Sequence, residues 1–242
     1  MAKQKGPIAQ QLQRDLNRYR SLKQHDDNHT DFRDNLFRLQ SWQAQRMRKT
    51  HQDLLANDKY HVATEFFLED IYGGIDLSDL ANEAERALNA ALRILPEKVM
   101  VTATHALELN ALTAELDEHL AHFLFHEMGE SEISMEAYTE AFRLSASLQV
   151  RQRQVELAKQ LAVGLDRYVR SRMIYATFKL VKKPAHRAGI ANLYEFMGKG
   201  FAAMRPMGSA SEVIHRIVDK EAELIAAIFA GEPSPYGFNE IE

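Results

Sequence analysis

The chain has 242 residues, 45% of them hydrophobic and 26% charged, with no cysteine and a net charge of −4. This composition excludes wholesale disorder and allows a substantial core without staples; it also removes disulfides, thiolate metal sites, iron–sulfur clusters and cysteine nucleophiles. The small net charge conceals segregation: residues 1–60 carry 12 Lys and Arg against 7 acids, residues 61–140 carry 3 against 17, and residues 141–242 carry 15 against 10.

The stretch after Met1 is polar and lacks the apolar core of a signal peptide. No apolar run approaches the roughly 18 residues of a membrane span. A cytoplasmic protein without membrane insertion is therefore the expectation. Helical periodicity begins at Pro7, a residue suited to a first turn, and runs to about Leu22. After the polar break His25–Thr30, Thr30 or Asp31 caps a long helix through Trp42 to about Ala56, with Phe32, Leu36, Leu39 and Gln43 along one side. Asn57-Asp58 marks a break before the block Phe66-Phe67-Leu68-Glu69-Asp70-Ile71-Tyr72-Gly73-Gly74-Ile75-Asp76. Gly73-Gly74 ends that helix, and Asp76 or Ser78 opens the next, to about Leu95. Pro96 introduces a helix over 97–128, and Ser131 or Ser134 caps the following one. Helical pattern from Met135 to Val181 is broken or bent near Ser145–Gln149 or at Gly164, and Lys182-Lys183-Pro184 stops it. A helix from about Ala185 to Arg205 precedes Pro206-Met207-Gly208; Ser209 or Ser211 opens the last one, which ends at Gly231.

The fold class is thus all-α: a single-domain bundle of about seven or eight helices. Residues 1–30 form an N-terminal helix and polar break, 31–231 the bundle, and 232–242 an irregular tail.

Candidate chemistry concentrates in the helix over 97–128. His105, Glu108, Glu115, His119, His122 and His126 recur at three- and four-residue steps. Of these, Glu108, Glu115, His119 and His122 form a candidate metal set, provided a neighbouring helix adds ligands. The competing reading makes this row the solvated edge of the stripe Leu109, Leu112, Leu116, Leu120 and Phe123. A di-iron bundle needs two Glu-x-x-His motifs, and only Glu212–His215 supplies one. No nucleophile elbow or nucleotide loop occurs. Met197-Gly198-Lys199-Gly200-Phe201 places two glycines inside a helical pattern, which points to close helix–helix approach. The basic segment 143–183 scatters its charges around the axis, so nucleic-acid binding is disfavoured. Arg172 falls among Leu161, Leu165, Tyr168 and Tyr175, where an internal ion pair is expected. Asp70 and Glu221 are acids that burial would force into amide or arginine contacts.

Phe66-Phe67, Asp70, Tyr72-Gly73 and Asp76, followed by Leu95-Pro96 and Ala106–Leu109, resemble an uncharacterised family of all-helical bacterial proteins. A second matching block includes His186, Gly200-Phe201, Ala203, Met204, Met207-Gly208, Ile217 and Glu221. The chain departs from that pattern at Leu80-Ala81, where it suggests Arg-Asp, and at Lys220-Glu221, where it suggests Arg-Glu. The resemblance implies a fold and a domain extent and no activity. Catalytic and cofactor-binding residues stay unassigned, and no cofactor is expected. The preferred reading is a non-catalytic interaction or scaffold protein acting as a homodimer or other homo-oligomer, with a protein partner as a further option. A metal- or small-ligand-binding bundle is the alternative, and nucleic-acid binding through 143–183 the second.

Overall fold

The computed structural model describes residues 6–26, 30–71, 80, 82–87, 97–238, 240 and 241. Among them every regular element is a helix and there is no strand, as the periodicity predicts. Helix α1 spans Pro7–Asp26, α2 Thr30–Thr50 and α3 Gln52–Leu55; α4, His61–Glu65, widens into a π-helical turn over Phe66–Ile71. Helix α5, Glu97–His122, likewise ends in a π-helical turn, Phe123–Glu127. Then follow α6 Met135–Leu144, α7 Leu148–Arg170, α8 Arg172–Leu180, α9 Lys182–Arg187, α10 Ala191–Met204 and α11 Ala210–Ala230.

Helix α5 is the axis of the bundle. At 26 residues it runs about 39 Å, with α1 and α2 packed on it from the N-terminal half and α7 from the C-terminal half. Helix α11 lies on the far side of α7. Leu12, Leu16 and Tyr19 of α1 meet Met100 and Ala111 of α5, so the N-terminal helix is welded to the bundle. A second cluster joins Leu36 and Leu39 of α2 to Leu120 and Leu124, to Tyr138 of α6 and to Ile228 of α11. The largest links Met47, Phe66 and Phe67 to Leu112, Leu157 and Ile214.

The helix boundaries have local causes. Ser134 caps α6, its Oγ accepting from the Ala137 amide at 3.1 Å. Glycine in the left-handed region at φ 74° ends α11 at Gly231. The break at Ser145–Ser147 falls inside the expected window, and α7 runs unbroken through Gly164. It marks instead where α5 passes closest: a Cβ there would stand 2.5 Å from Thr102 Oγ1. The next break comes at Ser171, whose Oγ accepts from the Ile174 amide and starts α8. Helix α8 ends at Leu180, just before Lys182-Lys183-Pro184 as expected, but these three residues also form the first turn of a further helix, α9, where proline's missing N–H costs nothing. Helix α10 accordingly starts at Ala191, not Ala185.

Candidate functional site

Three side chains from distant parts of the chain meet between α2 and α11. Arg46 Nη1 donates to both carboxylate oxygens of Glu221, at 2.6 and 2.8 Å, and His51 Nε2 lies 3.0 Å from Glu221 Oε1. Arg46 and His51 are buried. Burial pushes the Glu221 carboxyl up, but the Arg46 charge and the hydrogen bonds from His51 and Arg46 outweigh it and lower the pKa to about 2. The C-terminal segment closes over this cluster. The Tyr236 ring lies under the Arg46 guanidinium at 5.7 Å and near Tyr138 at 6.5 Å. Burial raises the Tyr236 phenol pKa. Lys49 Nζ donates to the Glu240 carbonyl at 2.8 Å and sits over the Phe238 ring. The expected irregular tail is thus tied to α2.

Glu221 was visible in the sequence as an acid on the last helix; Arg46 and His51 were not singled out. The signal for Arg46 is its spacing, seven residues after Leu39 and next to Met47 on the buried side of α2. Nothing local marks His51, which follows the last residue of α2.

The two blocks that carry the resemblance touch each other. Phe66 and Phe67 are buried, and the Phe66 ring packs against Phe196 at 5.7 Å. A Cβ on Gly200 would stand 3.2 Å from the Phe66 ring, so Gly200 lets α10 approach the π-helical turn. Gly198 is less demanding, at 3.7 Å from Phe178. Phe201 is buried against Tyr175 and Phe178. Tyr72, Gly73 and Asp76 lie outside the described residues, as does the side chain of Asp70.

The histidine and glutamate row is dispersed. Glu115 pairs with Arg18 of α1, and Glu108 accepts from Arg153 of α7 at 2.7 Å. His119 is exposed, and His122 stacks on His126 at 5.2 Å. Among the described residues no three His, Asp or Glu side chains converge on a point that could hold a metal ion. Arg172 is also exposed and makes no ion pair with a described residue; among the described residues the buried arginines are Arg46 and Arg151.

Two other acids act as remote caps. Glu83 Oε2 accepts from the Leu193 amide at 2.7 Å, satisfying the first turn of α10. Asp166 Oδ1 accepts from Ser209 Oγ at 2.8 Å and from the Ser211 amide at 3.3 Å, at the start of α11. Burial opposes its ionisation, yet these bonds and Arg170 leave its pKa lowered.

Two apolar places stand out on the surface of the described residues. On α2, Phe37 is 62% exposed beside a groove of about 310 Å³ lined by Arg38, Trp42, Glu132 and Ile133. On α8 no residue is buried, and Met173 and Leu180 project into solvent. A third feature, a groove of about 410 Å³ between α5 and α7, is lined by Val101, His105, Val163 and Arg167.

A family model described as "Domain of unknown function (DUF8198)" matches residues 21–235. No curated protein matches the chain. No solved structure matches it either.

Proposed function

Since the chain belongs to the family defined by the domain of unknown function DUF8198, we propose its role from its own surfaces: a non-catalytic helical interaction protein that acts as a homo-oligomer. The buried polar groups favour this reading, because Arg46, Glu221 and His51 are committed to one another beneath the C-terminal segment. They have the form of a clasp between helices.

The observation that carries self-assembly is the α2 groove. Phe37 protrudes next to a hollow walled by Trp42 and Ile133, so one patch offers both a knob and a hole. A two-fold axis through such a patch sets the knob of each copy in the hole of the other. Its charges are mixed, since Arg38 and Glu132 both line it, and a patch that carries both signs can pair with its own rotated copy. Arg38 is held in place by its bond to the Ser131 carbonyl at 2.6 Å and by the Phe125 ring at 5.2 Å.

Light scattering on the size-exclusion peak tests the reading. The expected mass is twice the 27.7 kDa of one chain. Phe37→Glu, an exposed substitution that leaves the helical circular dichroism intact, is expected to return it to a monomer. A wild-type monomer at tens of micromolar, with no partner recovered, would end the proposal.

A further inference from the structure

Helix α8 has two apolar faces and the chain covers one of them. At about 100° per residue, Ile174, Tyr175 and Phe178 share one side and Met173, Ala176 and Leu180 the other. The first side is anchored on α10: Phe178 stacks flat on Tyr194 at 4.3 Å, and both Phe178 and Tyr175 pack on Phe201. Tyr194 Oη donates to the Phe178 carbonyl at 3.2 Å, and the Arg205 guanidinium covers the Tyr175 ring at 4.0 Å. The second side faces outward, with Met173 76% and Leu180 79% exposed. Val181, the next residue after Leu180, is exposed as well.

The segment that carries this face is cationic. Arg172, Lys179, Lys182, Lys183 and Arg187 fall within residues 171–190, which contain no acid. Lys182 pairs with Glu195 of α10 at 3.2 Å, and His186 Nε2 lies 3.1 Å from the same carboxylate. Lys179 rests on the Tyr175 ring at 4.6 Å. Arg172, Lys183 and Arg187 form no ion pair with a described residue.

We propose that α8 and α9 form a peripheral docking surface for an anionic lipid interface. Charge decides against a second copy bound face to face, since that would set two acid-free cationic segments against each other. Shape decides against a partner helix: recognition of that kind seats apolar anchors in a groove, and this face is a ridge of protruding side chains. A headgroup layer has no shape of its own to match. Met173, Leu180 and Val181 enter the boundary with the acyl chains while the lysine and arginine heads stay at phosphate level. Helix α8, nine residues and about 14 Å long, lies on such a surface; no described helix is long and apolar enough to cross it.

The test is co-sedimentation of the full chain with vesicles of phosphatidylcholine alone and of phosphatidylcholine with phosphatidylglycerol. Binding is expected only to the mixed vesicles, and it should weaken as sodium chloride is raised. Lys183→Gln with Arg187→Gln lowers the partition coefficient about 25-fold, at about fivefold per cation. Leu180→Glu, at an exposed site that the core does not need, lowers it about tenfold or more. Three outcomes each overturn the proposal: no binding to the mixed vesicles, equal binding to both kinds, or binding that survives both variants. Capture by soluble polyglutamate without vesicle binding also overturns it, and assigns the face to an acidic protein. The same assay on Phe37→Glu separates loss of self-assembly from loss of lipid binding.

Discussion

Glu221 is the residue on which the bundle's interior charge depends, because among the described residues it is the acid that pairs with Arg46, and it also holds His51. Removing one partner of a buried pair strands the other, which costs about 3 kcal/mol or more. Glu221→Gln is therefore expected to lower stability by about 3 kcal/mol at pH 7, read by urea unfolding. Arg46→Met combined with Glu221→Leu should recover most of that loss, since no buried charge is left unmatched. The pH dependence follows from the lowered pKa, about 2 in the folded chain against 4.5 unfolded. A depressed carboxyl contributes stability that is complete above pH 4.5 and is lost as pH falls toward 2. The gap between wild type and Glu221→Gln should thus close over that window. Asp15 works the other way, because burial raises its pKa, so the difference between the two proteins isolates Glu221. One residue of the three was legible. A lone acid on an apolar helix side announces that it needs a partner. Which arginine answers is a long-range fact, since Arg46 and Glu221 are 175 residues apart.

At the scale of elements, two glycines mark the tight crossings, and they differ in how much room they leave. On α7 a Cβ at Gly164 would press into Thr102 Oγ1, Cγ2 and Cβ at 2.5, 2.6 and 3.1 Å. The Thr102 side chain cannot swing aside freely, because its Oγ1 donates to the Lys98 carbonyl and touches Tyr168 Oη at 3.0 Å. Alanine gains about 1 kcal/mol of helix propensity over glycine, while overpacking costs about 1–3 kcal/mol. Gly164→Ala should be a net loss of up to about 2 kcal/mol by urea or thermal unfolding. Gly200→Ala meets only the end of the Phe66 ring at 3.2 Å, which can tilt by a few tenths of an ångström. It should cost less than Gly164→Ala; the reverse order would contradict the packing. Element type was readable throughout because hydrophobic period and scarce glycine and proline all say helix. Boundaries were less so. A serine after Arg170 can cap a new helix or sit inside an old one, and the Ser171 cap decides between them only once α8 turns onto α10. Gly164 reads as a breaker in isolation; its reason lies in Thr102, on another helix.

Across the whole molecule, the acidic middle segment is gripped from both flanks. Arg18 on α1 takes Glu115, Arg48 on α2 takes Glu65 and Glu69, and Arg153 on α7 takes Glu108. Part of the segregated charge of the sequence is therefore neutralised between neighbouring helices. The exception is α8 and α9, whose cations outnumber the acids that reach them. These flank pairs are exposed, so each is worth about 0.2–1 kcal/mol and is screened by salt. Raising sodium chloride from low to molar concentration should lower the unfolding free energy by about 1–2 kcal/mol through them. The sign is informative, because a bundle dominated by repulsion among its acids would be stabilised by the same salt. Arg18→Gln with Arg153→Gln should flatten that dependence, measured as the urea midpoint against salt. Glu221→Gln should leave the slope unchanged while shifting the whole line down, since its pair is buried and little screened. A slope that persisted in the double arginine variant would mean that the middle segment is neutralised by other contacts, and that the pairing of flanks and centre does not organise the fold.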